Sequence, residues 1–257
     1  MVGFGSELWE SLTGEYGNVK EYVEILMGKK EPKPFKKLNF FKQNEEDNYN
    51  IAFDNLCENL WHKMKFHSAI YIVLPYFCEL MKRKSDDEEW VFKLFLSAGL
   101  AVSTDINKPE DNISAGILKE YRDAKDEILQ LGLKLITENI EFLKRKNDFD
   151  RIEIYTGVLA LVGHPKRAYT FIMNMPWEKA KVECPYCKHE MEIELKDIVL
   201  TDYAQYFDRI KMSLKIMEML EDCKFENRFK KFYECIKCEK CGKEILIIEG
   251  AQKKVIK

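Results

Sequence analysis

The chain has 257 residues, 41 basic and 44 acidic side chains for a formal net charge of −3, and 46% hydrophobic against 33% charged residues. That balance excludes a disordered chain and gives no global basic field for nucleic acid. At this length roughly 70–75% of the unfolded surface can be buried, so the main core needs neither disulfides nor metal.

No stretch reaches the roughly 18 apolar residues that span a bilayer. The first residues, Met1 to Glu7, lack a basic segment followed by an apolar one, so a cytoplasmic protein with no membrane association is expected. Low glycine and proline content, 12 and 7 residues, points to a compact, helix-rich fold.

Ser6 to Leu12 can form a short helix, broken by Thr13-Gly14-Glu15-Tyr16-Gly17. Asn18, with Glu21 three residues on, restarts a helix that ends at Gly28. A charged, proline-bearing linker (Lys29 to Pro34) and the polar run Gln43 to Asn50 predict a loop before the next periodic segment. Phe53, Leu56, Cys57, Leu60, Trp61 and Met64 then fall on one face at a 3.6-residue period, and Ala69 to Met81 is apolar nearly all round, as in a helix buried between neighbours. Pro75 should lie inside that helix and kink it. Ser85-Asp86-Asp87-Glu88 matches a capping box ahead of Trp90 to Val102.

Ile117, Tyr121, Ala124, Ile128, Leu131 and Leu135 mark a long helix that could run to Lys146. Asn147-Asp148 caps the next one, Gly163-His164 ends it, and Pro165 suits the first turn before Ala168 to Met173. Helices arriving in pairs with short links give the rhythm of an α-solenoid, with no strands expected over 48–175.

The C-terminal third changes character. Cys184-Pro185-Tyr186-Cys187 and Cys238-Glu239-Lys240-Cys241 are two CxxC turns, leading into the strand-like runs Glu190 to Leu195 and Glu244 to Glu249. Thiolates two residues apart fit one tetrahedral metal, and two such pairs complete it, so the pattern predicts a four-cysteine zinc ribbon holding one structural Zn²⁺ per chain. Cys235 offers an overlapping CxxC with Cys238. The pair Cys238 and Cys241 is preferred because Gly242 follows it and can take a positive φ, letting backbone N–H groups face the sulfurs. Cys235 is then a spare thiol on the incoming strand, and His189 a loop residue. Thr201 to Glu221 reads as a helix inserted between the two turns. The predicted organisation is a mainly α chain: a helical body over 1–178, and a zinc-ribbon module over 179–257 with an inserted helix at 201–221.

The remaining cysteines read differently. Cys57 and Cys78 sit in apolar helical patterns and are expected in the core.

Trp9-Glu10-Ser11-Leu12-Thr13-Gly14-Glu15-Tyr16-Gly17, then Leu60-Trp61-His62 through Ala69-Ile70-Tyr71-Ile72-Val73-Leu74-Pro75-Tyr76-Phe77, and later Gly163-His164, together resemble a broad group of bacterial HEAT-like repeat proteins. Lys63 and Met64 stand where that pattern usually has Gln and Gly. The resemblance covers 6–175 and implies a HEAT-like α-solenoid. Some members look like immunity proteins that neutralise bacterial toxins, and no catalytic residues carry over.

A closed all-cysteine shell offers no open position for a substrate water. No phosphate loop, dinucleotide fingerprint or HExxH motif occurs, and His62 reads as a hydrogen-bonding partner of its inter-helix turn. The expectation is a non-enzymatic protein-binding scaffold, most specifically an immunity protein that binds a bacterial toxin. Its acidic runs, Glu45-Glu46-Asp47 and Asp86-Asp87-Glu88-Glu89, are the candidate partner face. The alternative is a nucleic-acid-associated protein using residues 224–243, where seven basic side chains meet three acidic ones.

Overall fold

A computed structural model of the chain describes residues 1–31, 48–105, 113–175, 177–201 and 204–251. It is mainly helical, with two small two-stranded sheets and a four-cysteine cluster. It divides into two compact units, residues 1–135 and 136–257. Among the described residues no helix is long and apolar enough to cross a membrane.

The first unit begins with α1 (Leu8–Ser11) and α2 (Lys20–Leu26). Between them Gly14 and Gly17 close a tight turn that rests on the end of α3 (Asn48–Trp61). Buried Asn59 holds that turn: its Oδ1 accepts the Tyr16 N–H at 2.9 Å, and its carbonyl accepts the Glu15 N–H at 3.0 Å. The contact is so close that a Cβ on Gly14 would fall 2.7 Å from the Asn59 Cβ. Here glycine is required for room.

Trp9 is fully buried, stacked on Phe4 and tilted against Tyr76. α4 (Ile70–Arg83) is buried on nearly all sides and carries Pro75 inside it, as the apolar density of that stretch predicts. α5 (Glu88–Ser103) packs on α4 and α3, and α6 (Ala115–Glu138) starts beyond it. A Cβ at Gly132 of α6 would meet Phe95 Cε2 at 2.1 Å, so α6 approaches that ring only because no side chain stands there. Cys57 and Cys78 are buried, as expected.

Several boundaries differ from the sequence expectation, each for a local reason. The α5 cap is Asp87, which accepts the Trp90 N–H at 3.1 Å; Ser85 lies two residues too early for that role. α2 starts at Lys20, whose N–H is taken by Asn18 Oδ1 at 2.8 Å. α3 already includes Asn48 to Asn50, which the polar run had suggested as loop, while Gln43 to Asp47 lie outside the described residues. The long helix stops at Glu138: Asn139 leaves helical geometry at φ −128° and ψ 37°, and α7 (Ile140–Lys144) follows as a separate turn.

The second unit is built on the hairpin of α8 (Asp148–Leu161) and α9 (Pro165–Asn174). Asn147 caps α8 through the Asp150 N–H, Gly163 turns the chain at φ +99°, and Pro165 opens α9, all as the sequence predicts. The hairpin of β1 (Lys179–Glu183) and β2 (Glu190–Glu194) comes next, then α10 (Ala204–Met219) and α11 (Cys223–Phe232). A second hairpin, β3 (Cys235–Lys237) with β4 (Glu244–Leu246), leads into the short α12 (Ile247–Gly250). The expected strand to Glu249 is thus cut at Leu246.

Packing here runs through aromatic rings. Phe171 of α9 meets Phe229 of α11 edge-on at 4.6 Å between centroids, and Phe232 at 6.3 Å. Asp222 caps α11 and is buried, receiving the Tyr155 hydroxyl at 2.7 Å and the Arg151 guanidinium at 3.3 Å. A buried carboxylate so paired and hydrogen-bonded is tolerated because its charge has partners on two elements.

Glu153 on α8 is the contrary case. Burial, with the charge of Asp150 adding to it, pushes its carboxyl up to about 7. The folded value lies above the unfolded one of about 4.3, so the native state holds the proton more tightly, and stability falls as pH rises from about 4.3 through 7. Glu153→Gln should therefore stabilise the protein by roughly 1–3 kcal/mol at pH 8 and by much less at pH 5.5. Denaturant midpoints of both proteins across that range check this; a gain independent of pH would refute it.

Candidate metal centre

Each CxxC turn sits at the tip of one hairpin, and the two tips are built alike. In the first, the Cys184 N–H donates to the His189 carbonyl at 2.9 Å and the Lys188 N–H to the Cys184 carbonyl at 2.9 Å. In the second, the Cys238 N–H donates to the Lys243 carbonyl at 2.9 Å and the Gly242 N–H to the Cys238 carbonyl at 2.8 Å. The pairing below the tips matches too: Glu183 lies opposite Glu190, and Lys237 opposite Glu244. The turn demands a left-handed residue directly after the second cysteine. Gly242 supplies it at φ +69°, as its position predicts, whereas Lys188 supplies it at φ +58° and bears the steric cost of its Cβ.

The tips face each other crosswise. Cys184 Sγ lies 3.6 Å from Cys241 Sγ, Cys187 Sγ lies 3.6 Å from Cys238 Sγ, and the sulfurs of all four are within 4.8 Å of one another. A regular tetrahedron of thiolates about 2.3 Å from a central ion has edges of about 3.8 Å. The donor set therefore fits a tetrahedral, sulfur-preferring metal with no position left over. Burial works against the Cys184 thiolate, yet the backbone N–H groups of Cys187 and Tyr186 and the neighbouring thiols outweigh it and draw its pKa down, while at Cys187 the backbone N–H of His189 is outweighed by burial and the neighbouring thiols, which push its pKa up.

The structure brings together the four cysteines chosen from spacing and Gly242, and leaves Cys235 aside. Cys235 is the first residue of β3, opposite Leu246, and burial raises its thiol. His189 takes part through its backbone carbonyl.

Behind the tips, α12 wedges the hairpins together. Ala251 bridges to Val182, and a Cβ on Gly250 would lie 2.6 Å from Val182 Cγ1 and 3.0 Å from Ile245 Cγ2, so only glycine allows this seating. Glu234, buried just ahead of β3, accepts both the N–H and the hydroxyl of Thr201 and gives its own carbonyl to the Ile247 N–H. Neither contact had a sequence signature. α11 did have one, in Asp222 followed by Phe225, Phe229 and Phe232 at helical spacing, and the charge of that stretch concealed it.

Of the expected partner face, Asp86, Asp87, Glu88 and Glu89 are exposed at the start of α5, with Asp87 occupied as the cap. Glu45, Glu46 and Asp47 lie outside the described residues. Where the sequence suggests that the His62 side chain bonds the turn that follows it, its Nδ1 instead meets Glu58 of α3 and the Tyr16 hydroxyl, the latter at 3.2 Å.

Two measurements follow from this geometry. Purified protein should carry one divalent metal per chain by elemental analysis. Cys184→Ser or Cys241→Ser should lose it, with loosening of the second unit, because such a site contributes on the order of 10 kcal/mol or more in small metal-held modules; Cys235→Ser should retain it, and equal loss there would assign the wrong sulfurs. Lys188→Gly should raise stability by about 0.5–1 kcal/mol with metal content unchanged, since it removes a left-handed Cβ. A destabilised variant would show that the Lys188 side chain matters more than its backbone.

Comparison of the chain with protein-family models, with curated proteins and with solved structures found no match.

Proposed function

We propose that this chain is a non-enzymatic binding protein of the cytoplasm, a HEAT-like helical scaffold with a zinc-clamped C-terminal module, and that its partner is a protein, most specifically a bacterial toxin that it neutralises as an immunity protein. The zinc assignment is supported by the four-thiolate shell, which this ion fills completely in structural sites. The HEAT-like reading draws support from helices that pack in consecutive pairs, α2 on α3 and α4 on α5, with each pair also meeting the other. Met64 adds to it: standing where the resembling pattern has glycine, it takes a positive φ of 54°.

The observation that carries the partner reading is the start of α5. Asp86, Glu88 and Glu89 are exposed and in no ion pair among the described residues, so their charge is available to a basic partner. Complementary charge acts chiefly on the rate of encounter. A toxin acting on nucleic acid must itself present cations to phosphates, and an acidic helix start can occupy them.

The test is coexpression with toxin-domain proteins encoded beside this gene, followed by binding kinetics. One of them should be neutralised. Reversing Asp86, Glu88 and Glu89 to Lys, with Asp87 retained to keep the helix cap, should slow association about tenfold at low salt and remove most of its salt dependence. No protection against any neighbouring toxin would refute the immunity reading, whereas protection with an unchanged on-rate after reversal would refute the acidic face alone.

A further inference from the structure

The basic stretch 224–243 does not form one surface. Lys230 is paired with Glu226, and Lys243 lies 4.3 Å over the Tyr186 ring at the first cysteine tip. Three of its cations instead share one side of α11 at positions 224, 228 and 231, where they line a cavity of about 380 Å³ with Lys196 from the turn after β2. Asn227 and a single carboxylate, Glu178, complete its polar lining.

What distinguishes this groove is how its cations are held. Arg228 Nη1 donates to the Met175 carbonyl at 2.6 Å, and Lys231 Nζ to the Lys196 carbonyl at 3.3 Å. These acceptors are neutral, so they fix the side chains without cancelling their charge. Among the described residues, neither Arg228, Lys231 nor Lys196 forms an ion pair; Lys224 alone is paired, with Asp148 at 2.9 Å, and that pair is exposed and easily exchanged. With Lys224 compensated by Asp148, three cations still face one lining carboxylate, Glu178, and present a net positive field, with two of the cations already ordered.

The arrangement also says what anion would fit. A single phosphate is best met by donors converging on one point, such as a nest of backbone N–H groups. Here the donors run in a row: positions 224 to 231 span about 10.5 Å at 1.5 Å per residue, with 228 between them. That length suits successive phosphates of an extended chain better than one phosphate. The groove is small, about 380 Å³, which favours the flexible backbone of a single strand over a rigid duplex.

We propose that the groove between α11 and the turn after β2 is a binding site for the phosphodiester backbone of single-stranded nucleic acid. Lys196, Arg228 and Lys231 are the phosphate contacts, and Lys224 joins them by exchanging Asp148 for phosphate. The site stands independently of the protein-partner reading, which concerns α5.

The experiment is fluorescence anisotropy of the metal-loaded full chain with a labelled twelve-nucleotide single-stranded RNA of mixed sequence, across a range of salt. Binding is expected, with a log–log salt slope of about −2 to −3, given about 0.7 for each phosphate neutralised on a single strand. Lys196→Glu with Lys231→Glu should weaken binding at least tenfold and reduce the slope by about 1.4. Lys211→Glu with Lys215→Glu, both exposed on α10 and outside the groove lining, changes the net charge equally and should leave affinity within about twofold; circular dichroism and metal content confirm that both variants are folded. Inorganic triphosphate should compete only weakly at equal phosphate concentration. The proposal is overturned by absence of binding, by equal losses in the two variants, by a duplex of the same sequence binding as tightly as the strand, or by triphosphate displacing the strand as well as unlabelled RNA does.

Discussion

The second unit is organised by the requirement that four sulfurs from two hairpins meet within one tetrahedron. Neither hairpin has a core of its own. β1 with β2 and β3 with β4 are two-stranded ribbons of five and three residues per strand, and an isolated ribbon of that size is at best marginally stable in water. Each is therefore held by what it touches: the opposite cysteine pair at its tip and α12 at its base. The two constraints act together, because α12 enters directly from β4 and meets β1 through Gly250 and Ala251. A metal held at the tips would close a long loop containing α10 and α11, which is where cross-linking restricts an unfolded chain most. The aromatic contacts of Phe171 with Phe229 and Phe232 seat the helices of that loop on α9.

What could be read from the sequence follows the range of the interactions concerned. The four-cysteine cluster was legible because metal coordination imposes its own spacing, and because Gly242 marks the left-handed position. Lys188, in the same position of the first tip, gave no such mark. α4 was legible from its nearly continuous apolar density and α8 from its Asn147 cap, since a cap is a contact over three residues. The α5 cap moved from Ser85 to Asp87 because both residues can accept a backbone N–H, and only the position of the helix start decides between them.

Long-range contacts were not legible. Asn59 holding the Gly14 to Gly17 turn, Glu234 holding Thr201, and Asp222 taking the Tyr155 hydroxyl each join residues far apart in the chain. No local pattern announces them. The groove beside α11 is a further example: Lys196 carries no signal linking it to Lys231, and the linear basic stretch merged cations that the fold separates.

Charge content and charge availability are therefore different quantities in this protein. Lys230 and Asp87 are charged but spent, one on Glu226 and the other on a helix N-terminus. Arg228 and Lys231 are ordered by carbonyl oxygens, which take one donor from each and leave the full charge in place. A long side chain loses rotamer freedom when it binds a ligand, at a cost of about 0.5–1.5 kcal/mol each. For these two, part of that loss has already occurred in folding. Asp86, Glu88 and Glu89 form no ion pair among the described residues and are exposed, so their contribution is long-ranged and screened by salt. On this argument the acidic start of α5 is suited to accelerating an encounter, and the groove beside α11 to retaining a ligand once it has arrived.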